Sequence, residues 1–286
     1  ISAGLNGFAL HLARGVVEDL FMGKLIYAGG DDVLAMVAVH DLPGLMLALR
    51  CAYSGSIPVG ERHDDFWKRL TGQPQYRLRI KNGFALLDGR MFRLMGDRAT
   101  ASMGAIVAHH QAPLSMVLAD LRAAEKRAKA VNGKDAFCIT LDKRAGGMLH
   151  VTGKWRLEEG MTRGEMGMLL DLRDLFAHPK FGISRRAAYL LAESLRDVPA
   201  REDALTATLA YQFGRQSREQ PRFGDLPQRL AQAAITRQAQ NAKDEWPAPN
   251  RWLRDLLLVT EFLAREGRAV ESLGGNQTTA KEAVHA

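Results

Sequence analysis

An α+β unit followed by an all-α unit is the architecture that this 286-residue chain predicts. Three observations predict it. Up to about residue 157, short apolar runs rich in Val, Ile and Tyr alternate with amphipathic helical stretches. From residue 158 to 266 the pattern is helical throughout, punctuated by Pro179, Pro199, Pro221, Pro247 and Pro249. From 267 to 286 the chain is polar and aperiodic, which predicts a disordered tail.

Composition narrows the class. A hydrophobic content of 47% and a charged content of 25% are ordinary for a soluble globular protein. No run approaches the roughly 20 apolar residues of a membrane span, so no membrane partner is expected. The opening Ile1-Ser2-Ala3-Gly4 has neither an initiator Met nor a charged leader, which excludes a signal peptide and predicts a start inside a larger protein. Cys51 and Cys138 lie in apolar segments and form neither a metal motif nor a disulfide framework, which predicts a reduced, cytoplasmic compartment. A net charge of +7 and a pI near 9.6 point to an anionic partner such as nucleotide or RNA.

The elements follow in order. Ser2 can cap a helix over about 3–21, with Leu5, Phe8, Leu12, Val16 and Leu20 in one stripe. Gly23 ends it. Leu25–Ala28 and Val33–Val39 are too short for helices and read as buried strands. Between them Gly29 and Gly30 permit the positive φ of a tight turn, and Asp31 and Asp32 are lifted to the sheet rim. Asp41, as N-cap, and Pro43 open a second helix carrying Leu45, Met46, Leu49 and Tyr53. Residues 55–98 read as an irregular insertion, holding at most two short strands about the Asp88-Gly89 turn.

Residues 101–109 form a small-residue strand, and Pro113 starts a helix whose apolar face is Leu114, Val117, Leu118, Leu121, Ala124 and Ala128. Its other face is charged: Arg122, Glu125, Lys126, Arg127 and Lys129. Strands at 136–141 and 148–152 flank the turn Lys143-Arg144-Ala145-Gly146-Gly147. With one strand ahead of the first helix, this order would make a β-α-β-β-α-β, ferredoxin-like palm. Five helices are expected beyond it, at 162–177, 184–196, 203–218, 225–243 and 250–265.

Adjacent carboxylates at a sheet rim suit Mg²⁺ or Mn²⁺, which keep waters and share their shell with substrate phosphates; a solvated Gly-Asp turn uses the same residue types. Four segments together resemble a known family: Leu25–Ala35 with its GGDD hairpin; Ala99–Leu114; Gly133–Phe137 with Lys143–Gly147; and Leu175-Phe176 with the Arg- and Leu-rich run Ser184–Leu191. They resemble the C-terminal half of the large polymerase-like subunit of type III CRISPR effector complexes, Cmr branch, over roughly residues 1–265. The resemblance implies a nucleotidyltransferase that converts ATP into cyclic oligoadenylates when its complex, built on guide RNA and other subunits, binds target RNA in antiviral defence.

It implies that Asp31 and Asp32 are catalytic and hold the metals, that Gly29, Gly30, Ser102 and Gly104 border the nucleotide, and that Lys143 and Arg144 face the triphosphate. A buried strand serine and a solvated turn are the plainer readings of Ser102 and of Lys143 with Arg144. Lys180, Arg185 and Arg186 are expected on an RNA-binding or subunit-binding helix face, or solvated. His109 and His110, taken as strand neighbours, should point apart and not share a metal. The residues lack a further metal-binding aspartate before the first helix and any HD nuclease pattern, so the chain alone is expected to be inactive. Two other readings use the same residues: a catalytically silent palm with a helical scaffold, and a diguanylate-cyclase-like palm.

Overall fold

The computed structural model describes residues 2–57, 63–71, 77–144, 146–155, 164–217, 223–240 and 248–282. The chain divides into two compact units: residues 1–140 with 152–166, and residues 141–151 with 167–286. The division passes through a strand hairpin, so the Lys143-Arg144 turn belongs with the helices.

In the first unit, the predicted opening helix is α1 (Ser2–Asn6) continued by two π-helical segments, Gly7–Leu12 and Gly15–Asp19. Its stripe is buried through Phe8, Leu12 and Val16. β1 (Gly23–Gly29) and β2 (Asp32–Val37) pair antiparallel, and α2 (Leu42–Ser54) follows, buried almost all round. Asp41 holds the N-cap position of α2, as expected, but its side chain makes no cap hydrogen bond. Its carboxylate instead accepts the Met22 N–H at 2.8 Å and lies 3.3 Å from His40, so it anchors the entry to β1.

Among its described residues, the stretch 55–98 is more regular than expected: it holds α3 (His63–Thr71) and a three-stranded sheet, β3 (Leu78–Lys81), β4 (Phe84–Leu87) and β5 (Arg90–Arg93), while 58–62 and 72–76 lie outside the described residues. α3 is driven by burial of Phe66 and Trp67, with Asp64 and Asp65 at its first turn and Lys68 and Arg69 at its last, each complementing the helix dipole. The Asp88-Gly89 turn between β4 and β5 has φ of 48° and 79°, the positive values of a two-residue hairpin.

β6 (Met103–Val107), α4 (Leu114–Ala130), β7 (Ala136–Asp142) and β8 (Met148–Lys154) complete the strand-bearing part, with sheet order β6-β7-β8. α4 packs on the sheet through Ala124 and Ala128 against Cys138, all fully buried. The rest of its predicted apolar face is not core: Leu114 is 70% exposed, and Val117, Leu118 and Leu121 are only half-buried. A buried ion pair joins α2 to the turn before β7: Arg50 Nε donates to Asp135 Oδ1 at 2.8 Å, and the same guanidinium donates to the Ala99 carbonyl at 3.0 Å.

The class is therefore α+β with a helical region. The ferredoxin-like sheet does not close: the described strands form a two-stranded and two three-stranded sheets.

The second unit carries α5 (Glu165–Ala177, whose first residues lie in the first unit), α6 (Arg186–Ser194), α7 (Glu202–Arg215), α8 (Leu226–Gln240) and α9 (Pro249–Glu282). α6 packs on α9 and α7 on α8, burying Leu191, Leu205, Leu209, Phe213, Leu230 and Trp252. The expected helices all form; residues 162 and 163, 218 and 241–243 lie outside the described set. α9 continues through 267–282, within the expected disordered tail 267–286; Ala, Glu, Leu, Gln, Arg and Lys in that stretch are good helix formers despite Gly267, Gly274 and Gly275.

Candidate functional site

The β1–β2 turn is built by two residues, Gly30 and Asp31. Gly29 pairs with Asp32, so Asp32 already stands on β2. Gly30 has φ +63° whereas Asp31 does not enter the left-handed region, the pattern of a turn with glycine in its first central position. Both carboxylates are exposed.

The register slips between Leu25 and Tyr27, leaving Ile26 as an extra residue. The slip gives the hairpin two faces. Leu25, Ala28, Val33, Ala35 and Val37 are half-buried. Ile26 (55% exposed), Tyr27 (56%), Met36 (69%) and Asp32 form an open face, with Leu34 between them. The strands are thus not the buried ones that their apolar runs suggest. The Tyr27 hydroxyl lies over Gly29, where a side chain would overlap it, whereas Gly30 has open space around it. At the other end, Glu18 accepts the Leu25 N–H at 3.1 Å and pairs with Lys24 at 3.0 Å, which holds its carboxyl below the ordinary glutamate value.

Two helices place groups within electrostatic reach of the acidic pair. On α2, burial pushes the Tyr53 phenol up, and the Asp31 charge adds to it. On α4, Lys129 is bonded to Glu125 at 2.6 Å; that bond, then the charges of Glu125, Asp32 and Asp31, hold its ammonium charged to higher pH. The sequence pattern lists Tyr53 with Leu45, Met46 and Leu49 on α2 and puts Lys129 on the charged face of α4. No local pattern marks either, because their relation to Asp31 is tertiary.

The remaining expected residues separate. Ser102 and Gly104 are in the same unit as the hairpin. The Ser102 hydroxyl is buried without a hydrogen-bond partner. Gly104 faces α4: a side chain there would overlap the backbone of Ala124 and Glu125, so the close approach it permits is helix on strand. Lys143 and Arg144 belong to the other unit, in a turn closed by Lys143 N–H to the Gly147 carbonyl at 3.1 Å. His109 and His110 do not point apart; they lie beyond the end of β6, and their rings are 4.3 Å apart between centroids. In the helical unit Arg185 is 3.9 Å from Glu261, which accepts from the Tyr189 hydroxyl at 3.1 Å, and Lys180 lies over Phe181.

Among the described residues no three His, Cys, Asp or Glu side chains come together. Asp31 and Asp32 offer two exposed carboxylates next to the open space at Gly30, a donor set that fits Mg²⁺ or Mn²⁺ only where waters and substrate phosphates complete the shell.

Fold and site together define an α+β unit with an acidic glycine hairpin, followed in the chain by a helical unit. Residues 1–66, which contain that hairpin, match the family model for Cas10/Cmr2, second palm domain. The chain is also 30% identical, over 190 residues, to the CRISPR system Cmr subunit Cmr2 of Pyrococcus furiosus. That alignment covers 66% of this chain and 17% of the relative. The similarity is to a Cmr2-like Cas10 subunit, in agreement with the resemblance carried by the four segments.

Proposed function

We propose that this chain provides the second palm and the adjoining helical part of a type III CRISPR effector subunit. Its hairpin serves the metal-dependent joining of ATP into cyclic oligoadenylates when the guide-RNA complex binds target RNA. The observation that carries the reading is the pair Asp31–Asp32, exposed on a glycine turn in the residues that match the Cas10/Cmr2 palm.

Asp31 and Asp32 would hold Mg²⁺ or Mn²⁺, which when bound neutralises triphosphate charge. In each step the 3′-hydroxyl oxygen of one ATP bonds to the α-phosphorus of another. The bond from that phosphorus to the β-phosphate oxygen breaks, pyrophosphate leaves, and the hydroxyl proton passes to solvent. Such chemistry depends on in-line placement and fixed charge more than on an acid–base dyad. The open face with Ile26, Tyr27 and Met36 gives an apolar surface beside the acidic rim for a base.

The test is target-RNA-triggered ATP conversion by the full complex carrying Asp31→Ala with Asp32→Ala. Loss of product with RNA binding kept is expected; retained synthesis overturns the assignment. Offering GTP in place of ATP separates a diguanylate-cyclase-like palm. A silent palm that binds RNA or partner subunits is the second reading, favoured by the lack of a third carboxylate beside the pair among the described residues.

A further inference from the structure

The sheet β3-β4-β5 has one face in the core and one in solvent. Leu78 and Ile80 of β3 and Ala85 of β4 are buried. The alternate positions are exposed: Arg79 and Lys81 on β3, Phe84 and Leu86 on β4, Met91 and Arg93 on β5. The register sets these six in two rows across the strands, Arg79–Leu86–Met91 and Lys81–Phe84–Arg93. Side chains opposite one another in such a row stand about 5 Å apart, and the rows are about 7 Å apart along the strands. Tight turns hold this register. Asn82 and Gly83, with φ of 52° and 79°, close β3 on β4 as Asp88 and Gly89 close β4 on β5. Arg77 clamps Asp88 with bonds of 2.9 and 3.0 Å, so the surface is formed in advance of any ligand.

An apolar ridge runs along the central strand, where Phe84 is 43% and Leu86 40% exposed, and it extends to Met91 at 73%. Cations border it on both sides, Arg79 and Lys81 on β3 and Arg93 on β5. No outward position of the three strands carries an acidic residue. An apolar protein partner would have to desolvate three cations to reach the ridge, at a cost. A single strand of nucleic acid satisfies both kinds of group at once: its bases lie on the ridge and its phosphates meet the flanking cations. The net charge of +7 has the sign that such a partner requires.

We infer that the outer face of β3-β4-β5 binds single-stranded RNA. One base stacks on Phe84, the next lies against Leu86 and Met91, and Arg79, Lys81 and Arg93 hold the backbone. This sheet is not the one that carries Asp31 and Asp32, so the face is a second site. Only the choice of RNA over DNA rests on the function proposed above.

The experiment titrates the full-length subunit, purified without guide RNA, into a short fluorescent poly(U) RNA at several salt concentrations. Phe84→Ala is expected to weaken binding about 5- to 150-fold, the worth of one stacked base. Phe84→Tyr should keep most of the affinity. Arg79→Gln with Lys81→Gln and Arg93→Gln should reduce the slope of log affinity against log salt by about 2, at roughly 0.7 for each phosphate contact on a single strand. The same charge change made by Arg14→Gln with Arg201→Gln and Arg215→Gln should leave the slope as in the wild type. A poly(U) RNA carrying 4-thiouridine, irradiated with the wild-type subunit, should form adducts within residues 79–93, a readout that needs no variant to fold.

Wild-type affinity in Phe84→Ala, equal loss of slope in the two triple variants, or adducts confined to other segments would overturn the inference. Polyglutamate displacing the RNA as well as unlabelled RNA does would make this a surface for an acidic protein and overturn it too, as would binding of the matching single-stranded DNA without binding of RNA. Asp31→Ala with Asp32→Ala should bind the RNA as the wild type does. Loss of RNA affinity in that variant, with Phe84→Ala unaffected, would put the strand at the hairpin instead. A failed platform leaves the hairpin reading standing, and retained ATP conversion in the double aspartate variant leaves the platform standing.

Discussion

Gly104 of β6 lies against the backbone nitrogen of Glu125 in α4, so closely that even a methyl group at 104 would overlap it. The obstacle is main chain, which no rotamer change relieves. Gly104→Ala should therefore lift α4 and destabilise the first unit by about 1–3 kcal/mol, the usual range for overpacking. Thermal unfolding of the chain checks this; an unchanged midpoint would show that the helix does not rest there.

Arg50 and Asp135 form an ion pair in which both residues are buried. Asp135→Ala would leave the guanidinium of Arg50 with the Ala99 carbonyl but no counter-charge. A loss of roughly 3–5 kcal/mol is expected, as for other broken buried pairs. Arg50→Met combined with Asp135→Leu should recover part of it, because the cost lies in the charge left behind. Urea titration of the single and double variants measures the difference.

Glu18 makes the start of β1 sensitive to acid. Its carboxyl is held below the ordinary glutamate value by Lys24 and by the Leu25 N–H. A lowered folded value stabilises the protein above the ordinary glutamate range, and that contribution is lost as pH falls through the folded value. Hydrogen exchange at the Leu25 amide should accelerate relative to the hairpin's other amides as pH drops through that acid window. Glu18→Gln should exchange faster at neutral pH and show no such step.

Asp255 works with the opposite sign. Burial pushes its carboxyl up, and the Arg254 guanidinium only partly offsets this. A raised folded value means that the ionised form is a burden, and it grows as pH rises through that value. Asp255→Asn keeps an oxygen for Arg254 and should raise the thermal midpoint at pH 7. The gain should shrink as pH is brought down into the ordinary aspartate range. A lower midpoint at pH 7 would show that the bond to Arg254 dominates.

The hairpin was legible because two glycines and two carboxylates between short apolar runs leave the backbone few alternatives. The helices of the second unit were legible for a related reason: polar caps and prolines bracket each period. What failed was depth. The periodicity of α4 predicts a helix but not that Leu114 stays exposed, since the stripe does not say what covers it. α3 escaped because its buried set is confined to Phe66, Trp67 and Leu70 within nine residues, too short for a period to register. The influence of the Asp31 charge on Tyr53 and Lys129 escaped because it depends on the tertiary fold and not on any local pattern.

The additional residue at Ile26 acts as a phase shifter for everything downstream of it in β1. Strand side chains alternate, so drawing Ile26 into a regular register opposite Leu34 would invert the parity of Tyr27, Ala28 and Gly29 against an unmoved β2. The ring of Tyr27 would swing toward the half-buried side, and Ala28 would face solvent. A single odd-numbered insertion thus decides which side of this ribbon is aromatic, and with it which side a planar guest could lie upon.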